Sequence, residues 1–436
     1  MTSPEGLARG LAALDLASLL LPRRSVSASS GEVALRDSIV LGEGLVLAVL
    51  IGEDGLMVAP LVVGDGDRAR RATPGDGAFE GLLARLAVGG STGRFSFEPA
   101  SAAPVVTGER AIDVDQSNES VVVGERVVVK LYPLTGGIAG VGSDLPARLV
   151  SVGFAAIPTP LGTVCWRDDD DRRWVVAKAS AFLPGARDGW EWYLARLLGW
   201  LDGEVDDAAA FEPAQPLGAM AAEMHAALAT ASHVVPTPVR AAEESVARAW
   251  LQAAHTVADD ALALSGGEEG SRLAMREPVI RAELDRLGEA AGSIIMRVHG
   301  DFHVGQVLEW QGGYAITDFD GNPMAPPDER VARDTPVRDV AAFVRSIDHL
   351  GRIASTRRRG RDDAVSAWIE LSRAGFLEAY IGELERRGEG RLFEERLLRP
   401  LEIAQECHEY VYAARFLPGW RYVPDLAMRW LIPMED

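Results

Sequence analysis

Lysine is nearly missing from this chain: two of its 44 basic residues, Lys130 and Lys178, are lysines, and the rest are arginine. Arginine has taken over the surface cations, so a lysine that persists points to a place that needs a compact ammonium rather than a planar guanidinium. Cysteine is just as scarce. Cys165 and Cys407 are too few and too isolated for a disulfide framework or a zinc knuckle. Positive charge is in deficit, and a formal net charge of −20 at pH 7 argues against a surface for phosphate backbones, hence against a nucleic-acid partner. Long hydrophobic runs are absent too. The longest strand-like one, "GLVLAVLIG" from Gly44 to Gly52, is far too short to span a membrane. The leucine-rich start, "MTSPEGLARGLAALDLASLLLPRR", is broken by Arg9 and Asp15 and lacks a basic leader and a cleavage site, so an amphipathic helix is expected there. A soluble, cytoplasmic protein without a membrane partner is the expectation.

What is present is ordinary for a globular protein: 47% hydrophobic and 25% charged residues, in a chain of 436 that calls for two or three packed units. From about residue 31 to 64, apolar runs separated by Gly, Glu and Asp predict an antiparallel meander. "GAFEGLLARLAVGG" predicts one helix, and a Pro/Ala/Ser stretch near 98–104 suggests a boundary. Residues 105–183 read as strands, two of them joined by Gly124-Glu125 and two by the acidic turn Asp168 to Asp171. From 184 onward the spacing is helical, as in "GWEWYLARLLGWL" and "LGAMAAEMHAALA", with short strands only around 298–323. The expected organisation is a cap at 1–98, a β-rich lobe at 99–183 and a helical lobe at 184–436.

The chemistry concentrates in "HGDFHVGQ" (His299 to Gln306) and "YAITDFD" (Tyr314 to Asp320). Phosphoryl transfer needs a carboxylate at the acceptor hydroxyl and oxygen ligands for Mg²⁺ on the nucleotide phosphates. A kinase catalytic loop, H-R-D-x-x-x-x-N followed by D-F-G, supplies them. Asp301 and Gln306 keep the Asp-to-amide spacing, and Asp318 takes the metal-binding position. A zinc site is the competing reading, but His299 and His303 would need to share a helix, and Gly300 with no following glutamate argues against that. His299 reads as a buried orienting residue.

Upstream, "RVVVKLYP" ends a β-branched strand with Lys130, where a lysine can reach the nucleotide phosphates. Its usual glutamate partner on the next helix is missing; Asp144 is the one acid between Gly142 and Gly153. The turn "DQSNES", with Ser117, is a candidate phosphate loop, and an ordinary hairpin is the alternative. At the end of the β-block, Ala179 to Phe182 stands where a kinase-like fold would bind adenine through backbone, with Ala179 and Ala181 as candidates. For Lys178 no role follows, and a salt bridge to the Asp168–Asp171 turn is one expectation.

The C-terminal segment "QECHEYVYAARFLPGWRYVPDLAMRWL" sets Glu406 and Glu409 three apart, with Tyr410, Trp420 and Tyr422 nearby. Carboxylates and aromatic rings suit a sugar; an amphipathic terminal helix with core aromatics reads the same way.

Together, "HGDFHVGQVL" and "DFDGNP" resemble the maltokinase and aminoglycoside-phosphotransferase group of protein-kinase-like enzymes. With "DFDGNPMAPPDER", "RDVAAFVRSIDHLGR" and "QECHEYVYAARFLPGWRYVPD", nearly the whole chain is similar to actinobacterial glucosamine kinases. The resemblance implies an α+β, bilobal protein-kinase-like fold with an N-terminal β-rich cap, and ATP-dependent phosphorylation of glucosamine at its 6-hydroxyl. It implies Asp301 as base, Gln306 and Asp318 as Mg²⁺ ligands and Lys130 as the phosphate lysine. Glu406, Glu409, Tyr410 and Trp420, with Asp301, become the acceptor site. A monomer with ATP and glucosamine as its small-molecule partners is expected. A maltokinase, an aminoglycoside phosphotransferase and a non-catalytic, pseudokinase-like binding module are the alternatives.

Overall fold

The computed structural model of this chain describes residues 34–52, 55–64, 69–112, 119–132, 145–233, 235–322, 325 and 327–434. They divide into two compact units. One takes the described residues up to Val150 with Ile157–Gly185 and Asp320–Val331; the other takes Ser151–Ala156, Ala186–Phe319 and the chain from Ala332 onward. The N-terminal amphipathic helix expected from the sequence lies outside the described residues.

In the first unit, β1 (Ala34–Gly42), β2 (Leu45–Gly52), β3 (Gly55–Val63) and β4 (Ala69–Arg71) pair antiparallel in chain order, the expected meander. β2 is apolar along its length because both faces are buried: Leu47 and Val49 join one core, Val46, Ala48 and Leu50 another. The predicted helix is α1 (Ala78–Val88), which buries Phe79, Leu82, Leu83 and Leu86 at helical spacing. Gly77 at its N-cap offers no side chain. Glu109 caps instead, accepting from the N–H groups of Gly75, Gly77, Phe79 and Glu80 at 2.7–3.1 Å, a carboxylate at the positive end of the helix dipole.

A seven-stranded sheet follows, built from β5 (Gly90–Thr92), β6 (Phe95–Pro99), β7 (Glu109–Ala111), β8 (Glu119–Val123), β9 (Val127–Leu131), β10 (Pro160–Arg167) and β11 (Arg173–Ala181) in the order β5-β6-β10-β11-β9-β8-β7. β8 and β9 are joined by a tight turn over Gly124, Glu125 and Arg126, in which Gly124 and Glu125 both lie at positive φ (59° and 52°). Asp168–Asp171 forms the tip of the β10–β11 hairpin. The boundary expected at residue 98 falls inside β6, which pairs with β10 from Phe95↔Trp166 to Pro99↔Gly162. One core, including Leu47, Phe79, Phe97, Val129 and Val176, runs through both sheets and α1.

The second unit is mainly helical. It opens with β12 (Arg187–Asp188) and α2 (Gly189–Leu201), continues through α3 (Ala214–Ala229), and carries β13 (Val307–Trp310) and β14 (Gly313–Ile316) as a short hairpin beside β12. Then come α4 (Pro336–Arg357), α5 (Asp362–Arg386), α6 (Glu395–Arg415) and α7 (Tyr422–Leu431). α4 is the axis of the unit, buried almost continuously from Pro336 to Ala354 and packed against α2, α5, α6 and α7. Its start is set locally: Pro336 occupies the first turn and the Thr335 hydroxyl caps the Val337 N–H. Phe302, Phe343 and Phe376 stack at 4.7 and 4.6 Å between centroids, tying the loop before β13 to α4 and α5. Each such buried ring is worth about 1.5–3 kcal/mol in transfer from water. Among the described residues no helix is long and apolar enough to cross a membrane.

Candidate active site

The loop carrying Asp301 is held from three sides. Asp339, in the first turn of α4, accepts from the backbone N–H of His299 at 2.8 Å and of Gly300 at 2.9 Å. Asp339 in turn meets His225 Nε2 at 3.1 Å, whose Nδ1 lies 2.7 Å from the Tyr380 hydroxyl. His299, buried as expected, has its Nε2 2.8 Å from the Thr317 carbonyl and its Nδ1 3.3 Å from the Asp301 N–H. Those partners define one tautomer: Nε2–H donates and Nδ1 accepts. Burial depresses its pKa, keeping the ring neutral. Both ring nitrogens of His299 are thus engaged with backbone groups, as the orienting role expected from the sequence needs.

Beyond Asp301 the chain makes a 3₁₀ turn, Val304–Gln306, capped by His303 Nδ1 accepting from the Gly305 N–H. The Val304 N–H donates to Ser346 of α4 at 3.0 Å. Gly305 is glycine for want of space: a Cβ there would come within 2.5 Å of Trp190 Nε1. The Gln306 carbonyl accepts from the Thr317 N–H at 2.8 Å, which joins the turn to the segment leading to Asp318. Asp318 is exposed and has φ 59°, a left-handed conformation that aspartate tolerates and that recurs at functional sites.

Asp301 has the electrostatics of a general base. Desolvation, and after it the neighbouring charges of Asp318 and Glu409, push its carboxyl up to about 6, against the lowering pull of His303 and a hydrogen bond from Gln306. A base of that pKa accepts a proton at neutral pH without being inert. His303 Nε2 lies 3.9 Å from Asp301 Oδ2 and 3.4 Å from the Gln306 amide nitrogen. Asp318 and Gln306 offer oxygen donors, and among the described residues no group of three or more His, Cys, Asp or Glu is assembled to hold a metal alone. That donor set fits Mg²⁺, which takes one or two carboxylates and completes its shell with phosphate oxygens and water.

An aromatic wall adjoins this carboxylate. Trp190, on the first turn of α2, stands 5.9 Å from the His303 ring and 6.1 Å, edge to face, from Trp420. Glu409 projects from the half-buried side of α6, taking a 3.0 Å hydrogen bond from Gln405.

Its neighbour Glu406 faces the interior. There it is fully buried, 3.0 and 3.3 Å from His349 Nε2 and 3.4 Å from Arg345 Nε. Tyr410 is likewise a core side chain, its hydroxyl pKa raised by burial. The expected quartet thus separates, Glu409 and Trp420 toward Trp190 and Asp301, Glu406 and Tyr410 into the packing beneath.

In the first unit, Lys130 Nζ lies 2.7 Å from Asp320 Oδ2, and Lys178 Nζ 2.6 Å from Oδ1 of the same carboxylate. The Tyr132 hydroxyl donates to Asp320 Oδ2 at 2.7 Å. Burial alone would raise the Asp320 pKa, yet the two ammoniums hold it well below the carboxylate range. The expectation that Lys178 would pair with the Asp168–Asp171 turn is corrected here: Asp169 pairs with Arg36 and Arg94, and Asp171 with Arg167. The N–H groups of Ala181 and Phe182 donate to the carbonyls of Thr159 and Arg126 at 2.8 Å, and Ala179 is a ladder residue opposite Val129. An adenine contact at Ala181 or Phe182 would therefore run through their carbonyls. Ser117 and Asp144 lie outside the described residues.

No family model matches the chain. It is 42% identical to the glucosamine kinase of Streptacidiphilus jiangxiensis over 436 residues, 97% of each chain. The glucosamine kinase of Mycolicibacterium smegmatis is 36% identical over 398 residues, 90% of this chain and 96% of that one. The chain belongs to the glucosamine kinase family.

Among solved structures, a glucosamine kinase in complex with glucosamine, ADP and inorganic phosphate superposes with a TM-score of 0.82 at 38% identity, covering 99% of this chain and 100% of that one. A second crystal form of glucosamine kinase gives 0.84 at 37% identity, covering 98% and 99%. This member of the family has the expected α+β make-up, a β-sheet N-terminal region followed by a mainly helical one, and shares the fold of the glucosamine kinase structures. Sequence reading missed Trp190, His303 and Asp320 as site residues. For Asp320 a signal existed, a second acid in "DFD". For Trp190 there was none, because "GWEW" is equally the start of any amphipathic helix.

Proposed function

We propose that this protein transfers the γ-phosphoryl group of ATP to glucosamine, giving glucosamine 6-phosphate and ADP. The observation that carries the reading is the Asp301 carboxyl, pushed up to about 6 by burial and by the charges of Asp318 and Glu409, and standing next to His303, whose ring adjoins Trp190 and, through it, Trp420. The similarity to glucosamine kinases over nearly the full chain supports the acceptor.

In this mechanism Asp301 orients the 6-hydroxyl and takes its proton as the oxygen attacks phosphorus. Gln306 and Asp318 would hold Mg²⁺, which would supply charge neutralisation on the phosphate oxygens. Lys130 binds the phosphate tail and the Ala181 backbone borders the nucleotide side, whereas Ala179 lies buried in the sheet. Trp420 and Trp190 present rings to the apolar face of the sugar. Glu409 accepts from the C2 ammonium, a charge-assisted hydrogen bond worth about 1.5–3 kcal/mol; Glu406 and Tyr410 act from beneath, supporting that surface. The same reading makes the enzyme a cytoplasmic monomer with ATP and the amino sugar as its partners.

The test is ADP release with glucosamine, glucose, N-acetylglucosamine and maltose, each with and without Mg²⁺. Glucosamine is expected to exceed glucose in kcat/KM by about ten- to a hundred-fold, with N-acetylglucosamine lower still because acetylation removes the charge. Equal efficiency on glucose, or a preference for maltose, overturns the acceptor; activity that survives chelation overturns the metal.

A further inference from the structure

Lys130 and Lys178 are the only lysines of the chain, and the β9–β11 ladder sets them directly opposite each other. Like charges in that relation repel and destabilise a sheet, so their coincidence is not explained by strand packing. The row continues with Ser120 opposite Lys130 and Thr163 opposite Lys178, and along β9 Lys130 is flanked by buried Val129 and Leu131. Both ammoniums reach one carboxylate, that of Asp320, and both lie 5.6 Å from the Tyr132 ring. If the arrangement served only to pin Asp320, arginine would do as well, since its fork holds a carboxylate bidentately and this chain uses it almost everywhere else. Lysine retained at both positions indicates a cramped site where compact, adjustable donors meet a second anion. The side chains are 21% and 17% exposed, partly desolvated yet reachable.

We propose that Lys178 is a second phosphate-binding residue of the nucleotide site, sharing the polyphosphate tail of ATP with Lys130 and held ready by Asp320. This rests on the reading of Lys130 as the phosphate lysine. A phosphate oxygen competes with Asp320 for the two ammoniums, so the carboxylate sets their spacing before the nucleotide arrives. Such sharing spreads the charge of the triphosphate over two point donors, as flexible ammoniums can.

Two measurements decide it. In the first, Lys178→Met and Lys178→Arg are titrated with ATP and with adenosine, which lacks the phosphates, and their melting temperatures are recorded. ATP affinity is expected to fall about ten- to a hundred-fold in Lys178→Met while adenosine affinity is retained. ATP and adenosine falling together, or ATP affinity unchanged, overturns the proposal; Lys178→Arg, which keeps the ion pair with Asp320, decides in the same way should the Met variant not fold. In the second, the wild-type protein is acylated with an amine-reactive reagent and read by mass spectrometry at its two lysines. ATP is expected to protect both and adenosine neither. Protection of Lys130 with Lys178 labelled as before overturns the proposal alone, whereas a lack of protection at both removes the phosphate-site reading of this strand pair.

Discussion

His349 Nε2 lies 3.0 Å from Glu406 Oε1, and both side chains are buried, His349 at 4% and Glu406 at 0% exposure. Arg345, Asp348, Arg352 and Glu402 complete the charged cluster between α4 and α6. Burial alone would lower the His349 pKa, but Glu406, with smaller contributions from Glu409 and Asp348, raises it above the ordinary 6.5. A histidine whose folded pKa exceeds its unfolded value contributes stability that is complete below about 6.5 and is lost as pH rises through the folded pKa. Unfolding free energy from urea titrations is therefore expected to decline above pH 6.5, and His349→Gln should flatten that decline. Removing the imidazole altogether, in His349→Ala, strands a buried carboxylate and should cost about 3–5 kcal/mol. A pH-independent stability difference between wild type and His349→Gln would show that the pair does not titrate in this range.

Asp301→Asn retains size and removes the proton acceptor. Turnover is expected to fall by about 10²-fold or more with ATP affinity unchanged. In the wild type, kcat/KM should rise with pH through an acid limb near 6, because the base must be ionised to act. Near-native turnover of the variant in steady-state assays would reduce Asp301 to a turn residue.

The charge of Glu409 is one of those that keep the Asp301 pKa high. Glu409→Gln should therefore move the acid limb to lower pH and also erase most of the preference for glucosamine over glucose. ATP affinity should be spared. Both pH profile and substrate ratio are measured on one variant, so a change in folding alone cannot imitate the pattern.

Asp318→Ala is expected to abolish Mg²⁺-dependent ATP binding, since a charged ligand of a hard cation is lost. Gln306→Ala should be milder, raising the Mg²⁺ requirement, because a neutral amide gives up less. Titration of ATP binding with Mg²⁺ separates the two; equal effects would contradict a shared metal with unequal ligands.

Lys130→Arg keeps the charge but replaces a compact ammonium with a planar fork. A raised KM for ATP, with KM for glucosamine little changed, is the expected result. An unaffected KM for ATP would remove Lys130 from the nucleotide site.

The sequence by itself determined most of the elements, because their causes are local. Alternation and Gly-Glu or Asp-rich turns specify the meander and the two hairpins; 3.6-residue spacing specifies α1 and the C-terminal helices. It also identified Asp301, Gln306 and Asp318 as candidates, since their chemistry is written at a short, fixed spacing. What lay beyond it depends on which distant residues meet. Glu406 and Glu409 look equivalent three apart on a helix, yet one turns inward to His349 on α4 while the other stays at the edge. Lys178 carried no local sign of its partner, because Asp320 lies 142 residues further along the chain. Trp190 comes to stand beside His303 and Trp420 only because Gly305 leaves room for its ring. Local periodicity reports what a segment is; only packing reports what it faces, because contact between segments depends on the whole chain having folded.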